Sequence, residues 1–490
     1  MEGPMPHGVV GLFCIRWGLR PSRCASPIPT PQSTQIQNAL KAMEGQRYVE
    51  MTGKKNFHVA VVGGGIAGVT LAIALYHRQI PVTIYEQAPA FGEVGAGVSF
   101  SPNAVEAMKV CHQGIYEAFE RVCTRNLWPS KQKVWFDYLD GYNKGTSTTA
   151  QNSSRQDIAF TISNSLGQTG VHRAHFLNEL IKLVPHEISR FNKRLEQITE
   201  RPDGKLVMKF ADGSEDVTDV VIGCDGIKSQ VRRLIVGDDH PSANPSFTHK
   251  YAYRGLVPME KAIEAVGEEL ASNSCMHMGP GGHLLTFPVN QGKTLNIVAF
   301  HTSPDKWTDY PRLTREGTRD EALRDFAGYG PNVINLLKLT EEKLSVWAIF
   351  DLGDHPVPTF YKGRICISGD AAHATSPHHG AGAGFCIEDT AVLATLLEDE
   401  RVQSHKDLEA VLAAYDTSRR ERSLWLVQSS RFIGNCYEWL AEGVGNDFKK
   451  IEEAINYRNG IIANVDIPKM CQEAREQLSK RLSKSQRGVL

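Results

Sequence analysis

A strand, a glycine-rich turn and a helix follow one another in VAVVGGGIAGVTLAIAL (59–75), and this segment constrains the fold of the chain most strongly. The apolar run that leads into the glycines predicts a buried strand over 58–63. The residues after the glycines predict a helix over 66–79, and VTIYE (82–86) predicts a second strand. We therefore predict a βαβ unit at the start of an α/β fold.

The glycines of this unit have the spacing of a dinucleotide-binding turn. Gly63, Gly65 and Gly68 fit GxGxxG: the first makes the tight turn, the second lets a pyrophosphate approach the backbone, and the third lets helix and strand pack closely. Glu86 ends the second strand about 20 residues later, where an acid binds a ribose hydroxyl. The pattern predicts a dinucleotide site without distinguishing NAD from FAD, and a glycine-rich turn without ligand is the alternative.

Composition argues against several other classes of function. The formal net charge is -1, so the chain lacks the excess of Lys and Arg that a nucleic-acid-binding face requires. Its ten cysteines include no CxxC pair, which disfavours a zinc site. No run of about 18 apolar residues is present, so we expect no transmembrane helix.

The periodicity of the remaining chain predicts five segments. A Rossmann-like domain is interrupted by an antiparallel-sheet insertion and followed by a helical C-terminus, and the leader contains Pro, Ser and Arg but few acids. We expect a disordered or targeting-like leader and a cytoplasmic protein, with an organelle as the alternative. The segments are the leader (1–55), the first part of the nucleotide domain (56–240), a sheet-rich substrate domain (241–350, with strands also from 125–170), the return segment (351–435) and a helical tail (436–490).

Two further segments place an aspartate after a predicted strand. VVIGCDGIKSQVRR (220–233) contains Asp225, for which a simple strand-end turn is the alternative. GRICISGDAAHATSPHHGAGAG (363–384) contains Asp370 at the carboxyl end of a strand, where open α/β sheets bind ligands. The glycines that follow let the backbone approach a flat ligand ahead of a helix. The histidines of this segment lack the i, i+4 spacing of an HExxH motif, so a metal site is disfavoured.

These three motifs, in this order and at this spacing, resemble the flavoprotein aromatic monooxygenases of the para-hydroxybenzoate hydroxylase type. The resemblance covers about residues 57–435. Two more segments, GEVGAGVSFSPNAVEAM (92–108) and VHRAHFLNEL (171–180), are similar to the salicylate hydroxylase subgroup. That subgroup includes fungal enzymes that hydroxylate or dearomatise phenolic polyketides.

The resemblance implies FAD held without a covalent link and NADH or NADPH as a transient co-substrate. It places Glu86 on the adenosine ribose, Arg173 towards the flavin and Asp370 on the ribityl or pyrophosphate part. It also links Asp225 to both FAD and NAD(P)H. The residues expected at FAD are Gly63, Gly65, Gly68, Glu86, Gly97, Arg173, Asp225, Asp370, Gly382 and Ala383.

The reaction that the resemblance implies uses NAD(P)H, O2 and a phenolic small molecule. Reduced FAD adds O2 at C4a, and the hydroperoxide passes a hydroxyl group to a carbon ortho or para to the phenol. Decarboxylating salicylate 1-hydroxylation is the alternative. A flavin-dependent halogenase is excluded because the chain has VWAIF (346–350) and no WxWxIP segment. The protein is expected to act as a monomer or a homodimer.

The segment YAYRGLVP (251–258) supplies the candidate catalytic residues. Arg254 lies in an apolar strand, where a buried Arg needs a partner such as a phenolate or carboxylate; a structural salt bridge or an outward-facing position is the alternative. Tyr253 is a lesser candidate because a regular strand points it to the opposite face. Phe287 stands where some relatives have a hydrogen-bonding Tyr. The candidate bases are His283, His301 and His379, and for each of them a plain surface or core histidine is the favoured alternative.

Overall fold

The predicted βαβ unit is present in the computed structural model, which describes residues 55–92, 97–142 and 158–487. The leader predicted over 1–55 falls almost wholly outside these residues, as do residues 93–96 of the GEVGAG segment. The first predicted strand spans Val59–Val62, the helix Ile66–His77 and the second strand Val82–Tyr85. All four residues of the first strand are buried, as its continuous apolar sequence predicts for a parallel sheet covered on both faces.

The described chain contains the following helices and strands, numbered in chain order. The helices are α1 Ile66–His77, α2 Pro102–Cys111, α3 Gln113–Val122, α4 Arg173–Ile181, α5 Gln230–Val236, α6 Met259–Val266, α7 Glu268–Ala271, α8 Arg319–Asp325, α9 Pro331–Lys338, α10 Asp370–His373, α11 Gly382–Glu398, α12 Leu408–Tyr437, α13 Phe448–Ala463 and α14 Ile467–Arg487. The strands are β1 Val59–Val62, β2 Val82–Tyr85, β3 Gly97–Ser99, β4 Val134–Asp140, β5 Ile158–Ser163, β6 Gly170–His172, β7 Ser189–Arg190, β8 Leu195–Glu200, β9 Leu206–Phe210, β10 Glu215–Thr218, β11 Val220–Gly223, β12 Ser246–Pro258, β13 Cys275–Gly279, β14 Gly282–Val289, β15 Thr294–Thr302, β16 Thr314–Thr318, β17 Lys343–Asp351, β18 Tyr361–Lys362 and β19 Ile365–Ile367.

A six-stranded sheet brings the three sequence motifs together. Its order is β18-β19-β11-β1-β2-β7, and all neighbours except β18 and β19 are parallel. The glycine turn follows β1, Asp225 follows β11 and Asp370 follows β19. Because parallel strands end at the same edge, segments more than a hundred residues apart in sequence meet there.

An eight-stranded, mostly antiparallel sheet forms the second layer. Its order is β16-β17-β12-β15-β14-β13-β4-β5, so the chain before residue 170 contributes two of its strands. One face of this sheet packs on α6 to α9 through a cluster of buried apolar side chains. The other face packs on the ends of α12 and α13. Between these contacts, this second face borders the motif-bearing edge of the parallel sheet, as the shared lining of one cleft shows.

The C-terminal helices close the fold. Helix α12 runs over Leu408–Tyr437, and α13 and α14 follow it. None of the helices within the described ranges combines the length and apolarity that crossing a bilayer requires.

Candidate active site

The first glycine turn is so tight that side chains cannot replace its glycines. Gly63 has a φ of +110°, and a Cβ there would lie 2.4 Å from the carbonyl oxygen of Cys224. A Cβ on Gly68 would lie 1.9 Å from the carbonyl oxygen of Gly63. Gly65 caps α1 without a side-chain hydrogen bond, and no acid occupies the first turn. The free N–H groups of this helix end can therefore receive a phosphate.

The Glu86 carboxylate holds this turn from the end of β2. One oxygen accepts the N–H of Gly64 at 2.6 Å, and the other accepts the N–H of Ala88 at 2.7 Å. The carboxylate is thereby fixed beside the turn and keeps lone pairs for a ribose hydroxyl. The binding of a ribose hydroxyl by Glu86 stays a prediction.

Exchanging Glu86 for Gln is expected to weaken FAD binding about tenfold, since a hydrogen bond to a charged group contributes roughly 1.5–3 kcal/mol. The amide would set an NH2 donor against a backbone N–H and push the turn out of place. Titration of the apoprotein with FAD, followed by flavin fluorescence, measures the change. Glu398→Gln, which alters an exposed carboxylate paired with Arg78, is the control; equal affinities of the two variants would contradict this role.

The third motif presents a second helix N-terminus to the cleft. Gly369 has a φ of +63° and turns the chain from β19 into α10, where Asp370 is exposed. Helix α11 begins at Gly382 with no side-chain cap and no acid in its first turn. Two uncapped helix ends and an exposed carboxylate therefore face one cleft, which suits an anionic dinucleotide with a flat ring.

The cleft between the two sheets has a volume of about 300 Å³. Most of the predicted site residues line it directly, whereas Gly63, Gly68 and Glu86 shape the turn behind it. The predicted residues in its walls are Gly65, Gly97, Arg173, Arg254, Asp370, Gly382 and Ala383. The structure thus brings residues from all three motifs and from the eight-stranded sheet to one place.

Two predicted residues point elsewhere. The carboxylate of Asp225 accepts the N–H groups of Gln230 at 2.8 Å and Val231 at 3.0 Å, so it caps α5. These contacts give Asp225 a structural role, and its link to FAD and NAD(P)H stays a prediction. Tyr253 is buried on the face of β12 opposite Arg254, and its hydroxyl donates to Asp325 at 2.6 Å. Strand alternation turns Tyr253 away from the cleft, so the structure does not support the predicted catalytic role of this residue.

Aromatic side chains form the inner wall of the cleft. Phe287 lies against the backbone of both Gly97 and Gly170, where an added Cβ would come within 2.5 and 2.8 Å of its ring. Gly97 is therefore required for close packing. The other aromatic residues in the wall are Trp135, Phe136, Tyr138, Phe300 and Tyr437. Such a wall favours a flat aromatic ligand.

Arg254 supplies positive charge to this apolar wall. Its guanidinium carbon lies 4.3 Å from the ring centroid of Trp347, and its Nε has no hydrogen-bond partner. Burial, reinforced by the charge of Arg173, lowers the pKa of Arg254 to about 10. No carboxylate of the described chain forms an ion pair with it, so the predicted salt-bridge alternative is absent and a ligand anion would complete the site.

The predicted bases differ in their surroundings. His379 is buried with Nε2 2.9 Å from the Ser429 hydroxyl, and burial lowers its pKa to about 3. His283 is buried against Glu438, and His301 lies beside Tyr251 on the opposite face of the sheet. Of these three, His379 is the one that lines the cleft.

Two residues that contribute to the cleft were not predicted from the sequence. His378 lines the cleft, and the ring of Trp347 packs against the Arg254 guanidinium. The signal for Trp347 was its place in VWAIF, a strand pattern beside the strand of Arg254; His378 had no signal beyond its glycine-rich segment. Among the residues that the structure describes, no cluster of His, Cys, Asp and Glu could hold a metal ion.

Comparison with known proteins gives similarity over most of the chain. A family model described as FAD binding domain matches residues 56–430. An FAD-dependent monooxygenase of Aspergillus niger is 42% identical over 441 residues, which cover 87% of this chain and 98% of that protein. Another FAD-dependent monooxygenase, from Monascus ruber, is 44% identical over 433 residues, with 86% and 97% covered.

A solved structure of a salicylate hydroxylase substrate complex matches with a TM-score of 0.75 and 34% sequence identity. The match covers 86% of this chain and 98% of that one. These similarities confirm the resemblance indicated by the three motifs and the predicted α/β fold.

Proposed function

The chain belongs to the FAD-binding-domain family of flavoprotein monooxygenases, and on that premise we propose that it hydroxylates a phenolic substrate in fungal-type secondary metabolism. The observation that carries this proposal is Arg254, a cation that lies in an aromatic cleft and has no carboxylate partner within the described ranges. A phenolate would pair with the guanidinium, while its ring would pack on the aromatic wall.

We assign FAD to the two helix ends and the residues between them. Gly65 and the start of α1 would receive the pyrophosphate, and Glu86 the adenosine ribose. Asp370 would bind the middle of the cofactor, and Gly382 with Ala383 would lie along the flat ring. The free helix N-termini and the exposed carboxylate fit these parts of FAD. Residues 56–240 and 351–435 would form this half of the site, and 241–350 with β4 and β5 the substrate half.

When bound, FAD supplies electron transfer from NAD(P)H and activation of O2. The residues of this chain hold the substrate for that chemistry. Arg254 favours the phenolate, which raises the electron density of the ring carbons ortho and para to the oxygen. The apolar side chains around it exclude water, so this charge interaction is stronger than in bulk solvent.

Salicylate-type decarboxylating hydroxylation is a second candidate function. It is favoured by the similarity to the salicylate hydroxylase substrate complex, and Arg254 would then pair with a carboxylate. The two functions differ in whether CO2 leaves as oxygen enters the ring.

We expect the purified protein to be yellow and to oxidise NADH or NADPH faster in the presence of a phenol. Salicylate and 2,4-dihydroxybenzaldehyde are suitable probes, with the products identified by mass. Gain of one oxygen without loss of carbon supports the first function, and gain of oxygen with loss of CO2 supports the second. Failure of every phenol tried to stimulate NAD(P)H oxidation would exclude both.

A further inference from the structure

His378 combines deep burial with two unsatisfied nitrogens. Its side chain is 4% exposed and lines the cleft, yet neither Nδ1 nor Nε2 has a hydrogen-bond partner among the described residues. The ring lies against Gly434 of α12, where an added Cβ would be 2.4 Å from Cδ2 of His378. The centroid of the His378 ring is 5.0 Å from that of the Phe300 ring. Because an unpaired buried nitrogen costs stability, a residue held so closely in this state calls for a partner in the cleft.

A buried polar array lies directly behind His378. The His283 ring centroid is 5.3 Å from that of His378, and Nδ1 of His283 is 3.1 Å from Glu438. The other carboxylate oxygen of Glu438 pairs with Lys250 and accepts the hydroxyl of Thr302 at 2.7 Å. Since Glu438 accepts at Nδ1, the neutral His283 carries its proton there, and the unpaired Nε2 is an acceptor.

The strand register of the eight-stranded sheet places this array next to Arg254 on the same face. Arg254 is paired across the sheet with Val298, and the next row on the same face contains Phe300 paired with His283. Lys250 occupies the row after that. One face of the sheet therefore presents Arg254 first and the array behind His378 next.

We propose that His378 accepts the phenolic proton of the substrate and that His283, held by Glu438, receives the positive charge; this rests on the phenol-hydroxylating function proposed above. The substrate O–H bond breaks and an N–H bond forms on one nitrogen of His378. The proton on its other nitrogen then passes to Nε2 of His283. These nitrogens are not hydrogen-bonded to each other in the free protein, so this step requires substrate binding to bring them within hydrogen-bond distance. The electron pair of the O–H bond stays on the substrate oxygen as a phenolate, which Arg254 stabilises.

The charges around His378 suit this role. Burial lowers the pKa of His378 well below its usual value; His283, Lys250 and His379 act in the same direction, and Glu438 opposes them. The ring is therefore neutral at neutral pH and offers a lone pair. Protonation at acid pH would remove that lone pair, so activity that depends on His378 falls as the pH falls through this lowered pKa.

Exchanging His378 for Gln tests the proposal, because Gln keeps hydrogen-bonding capacity but accepts no proton. We expect turnover at neutral pH to fall about 100-fold, the lower range for general base catalysis. The loss should shrink as the pH exceeds the pKa of the phenol in solution. Without turnover, titration of the oxidised holoenzyme with 2,4-dihydroxybenzaldehyde or salicylate, whichever wild type hydroxylates, should show the bound phenolate band at lower pH in wild type than in H378Q.

His301→Gln is the matched control, because His301 is a histidine of the same sheet on the opposite face. It should retain turnover and the phenolate band within about twofold. If H378Q does not retain FAD, H283Q is measured in its place and should show the same pH-dependent loss. If H378Q and H283Q kept wild-type turnover with unchanged pH dependence, the proposed proton transfer through His378 and His283 would be wrong, and the proposed function would stand. If the wild-type protein hydroxylated no phenol, the proposed function and the proton transfer would both be wrong.

Discussion

Replacing Arg254 with Met is expected to lower kcat/KM for the phenolic substrate about 10³-fold, the upper range for loss of one preorganised charge-stabilising group. Met keeps much of the length and packing of the side chain and removes its charge. The aromatic wall remains, so the substrate still enters but its phenolate is no longer stabilised. Steady-state kinetics with product detection by mass measures the loss.

The same variant should fold at least as well as wild type. Arg254 has no carboxylate partner in the described chain, and burial lowers its pKa, so its charge is held at a cost in the free protein. Thermal unfolding followed by circular dichroism should therefore show no loss of stability, and FAD content should be unchanged. This separates a substrate role from a structural one.

Arg315→Met provides the comparison for Arg254. Arg315 lies on β16 of the same sheet and pairs with Glu321 at 3.4 Å near the surface. Its removal should leave kcat/KM within about twofold. If the two variants lost activity equally, or if R254M retained wild-type kcat/KM, Arg254 would not be the substrate anchor.

The sequence predicted the glycine-rich turn after β1 well because the requirements of this turn are local. The positive φ of Gly63 and the contact between Gly68 and Gly63 exclude a side chain at each position, and such exclusions leave a fixed spacing of glycines in the sequence. The expected acid at Glu86 follows from the length of one βαβ unit. These features do not depend on which distant segments pack around them.

The role of Asp225 was not predictable in the same way. An aspartate after a strand can face a ligand or bind the backbone of the helix that follows, and both arrangements leave the same Asp-Gly sequence. Here the N–H groups of Gln230 and Val231 take the carboxylate. The position of α5, which the Asp-Gly sequence does not specify, determines whether these N–H groups reach the carboxylate.

The substrate side of the site depends on contacts between distant segments. Strand alternation predicts that Tyr253 and Arg254 face opposite ways, but not which of them faces the cleft. The packing of α8 determines which of the two faces the cleft, because Asp325 of α8 accepts the hydrogen bond of the Tyr253 hydroxyl. His378 meets His283 and Glu438 through the register of β14 and the end of α12, and no local pattern encodes such a meeting.

The exchange Asp389→Asn is expected to destabilise the fold by about 3–5 kcal/mol, the range for breaking one partner of a buried ion pair. Asp389 is fully buried on α11 and accepts Nε of Arg419 at 2.8 Å and Nε2 of His373 at 2.6 Å. The carboxylate also accepts the N–H of Gly369 at 3.0 Å, the residue before Asp370. The variant should therefore lose stability and also bind FAD more weakly, because the turn that presents Asp370 is loosened.

The pH dependence of this contribution has a definite sign. Burial alone would raise the pKa of Asp389, but His373 and Arg419 outweigh it and hold the pKa below its usual value. The carboxylate therefore stabilises the fold above the unfolded-state pKa of about 3.9 and loses that effect as the pH falls through the lower folded-state pKa. The difference in unfolding free energy between wild type and D389N should be constant near neutral pH and shrink only in strong acid.

Asp354→Asn is a closely matched control for this prediction. Asp354 also pairs with an arginine that has a second carboxylate partner, since Arg431 binds both Asp354 and Asp351, but its side chain is 47% exposed. Denaturant unfolding followed by circular dichroism should show a loss of at most about 1 kcal/mol for D354N, as for other surface pairs. Equal losses for D354N and D389N would mean that burial of the Asp389 pair does not set its contribution, and unchanged FAD affinity in D389N would separate that pair from the cofactor turn.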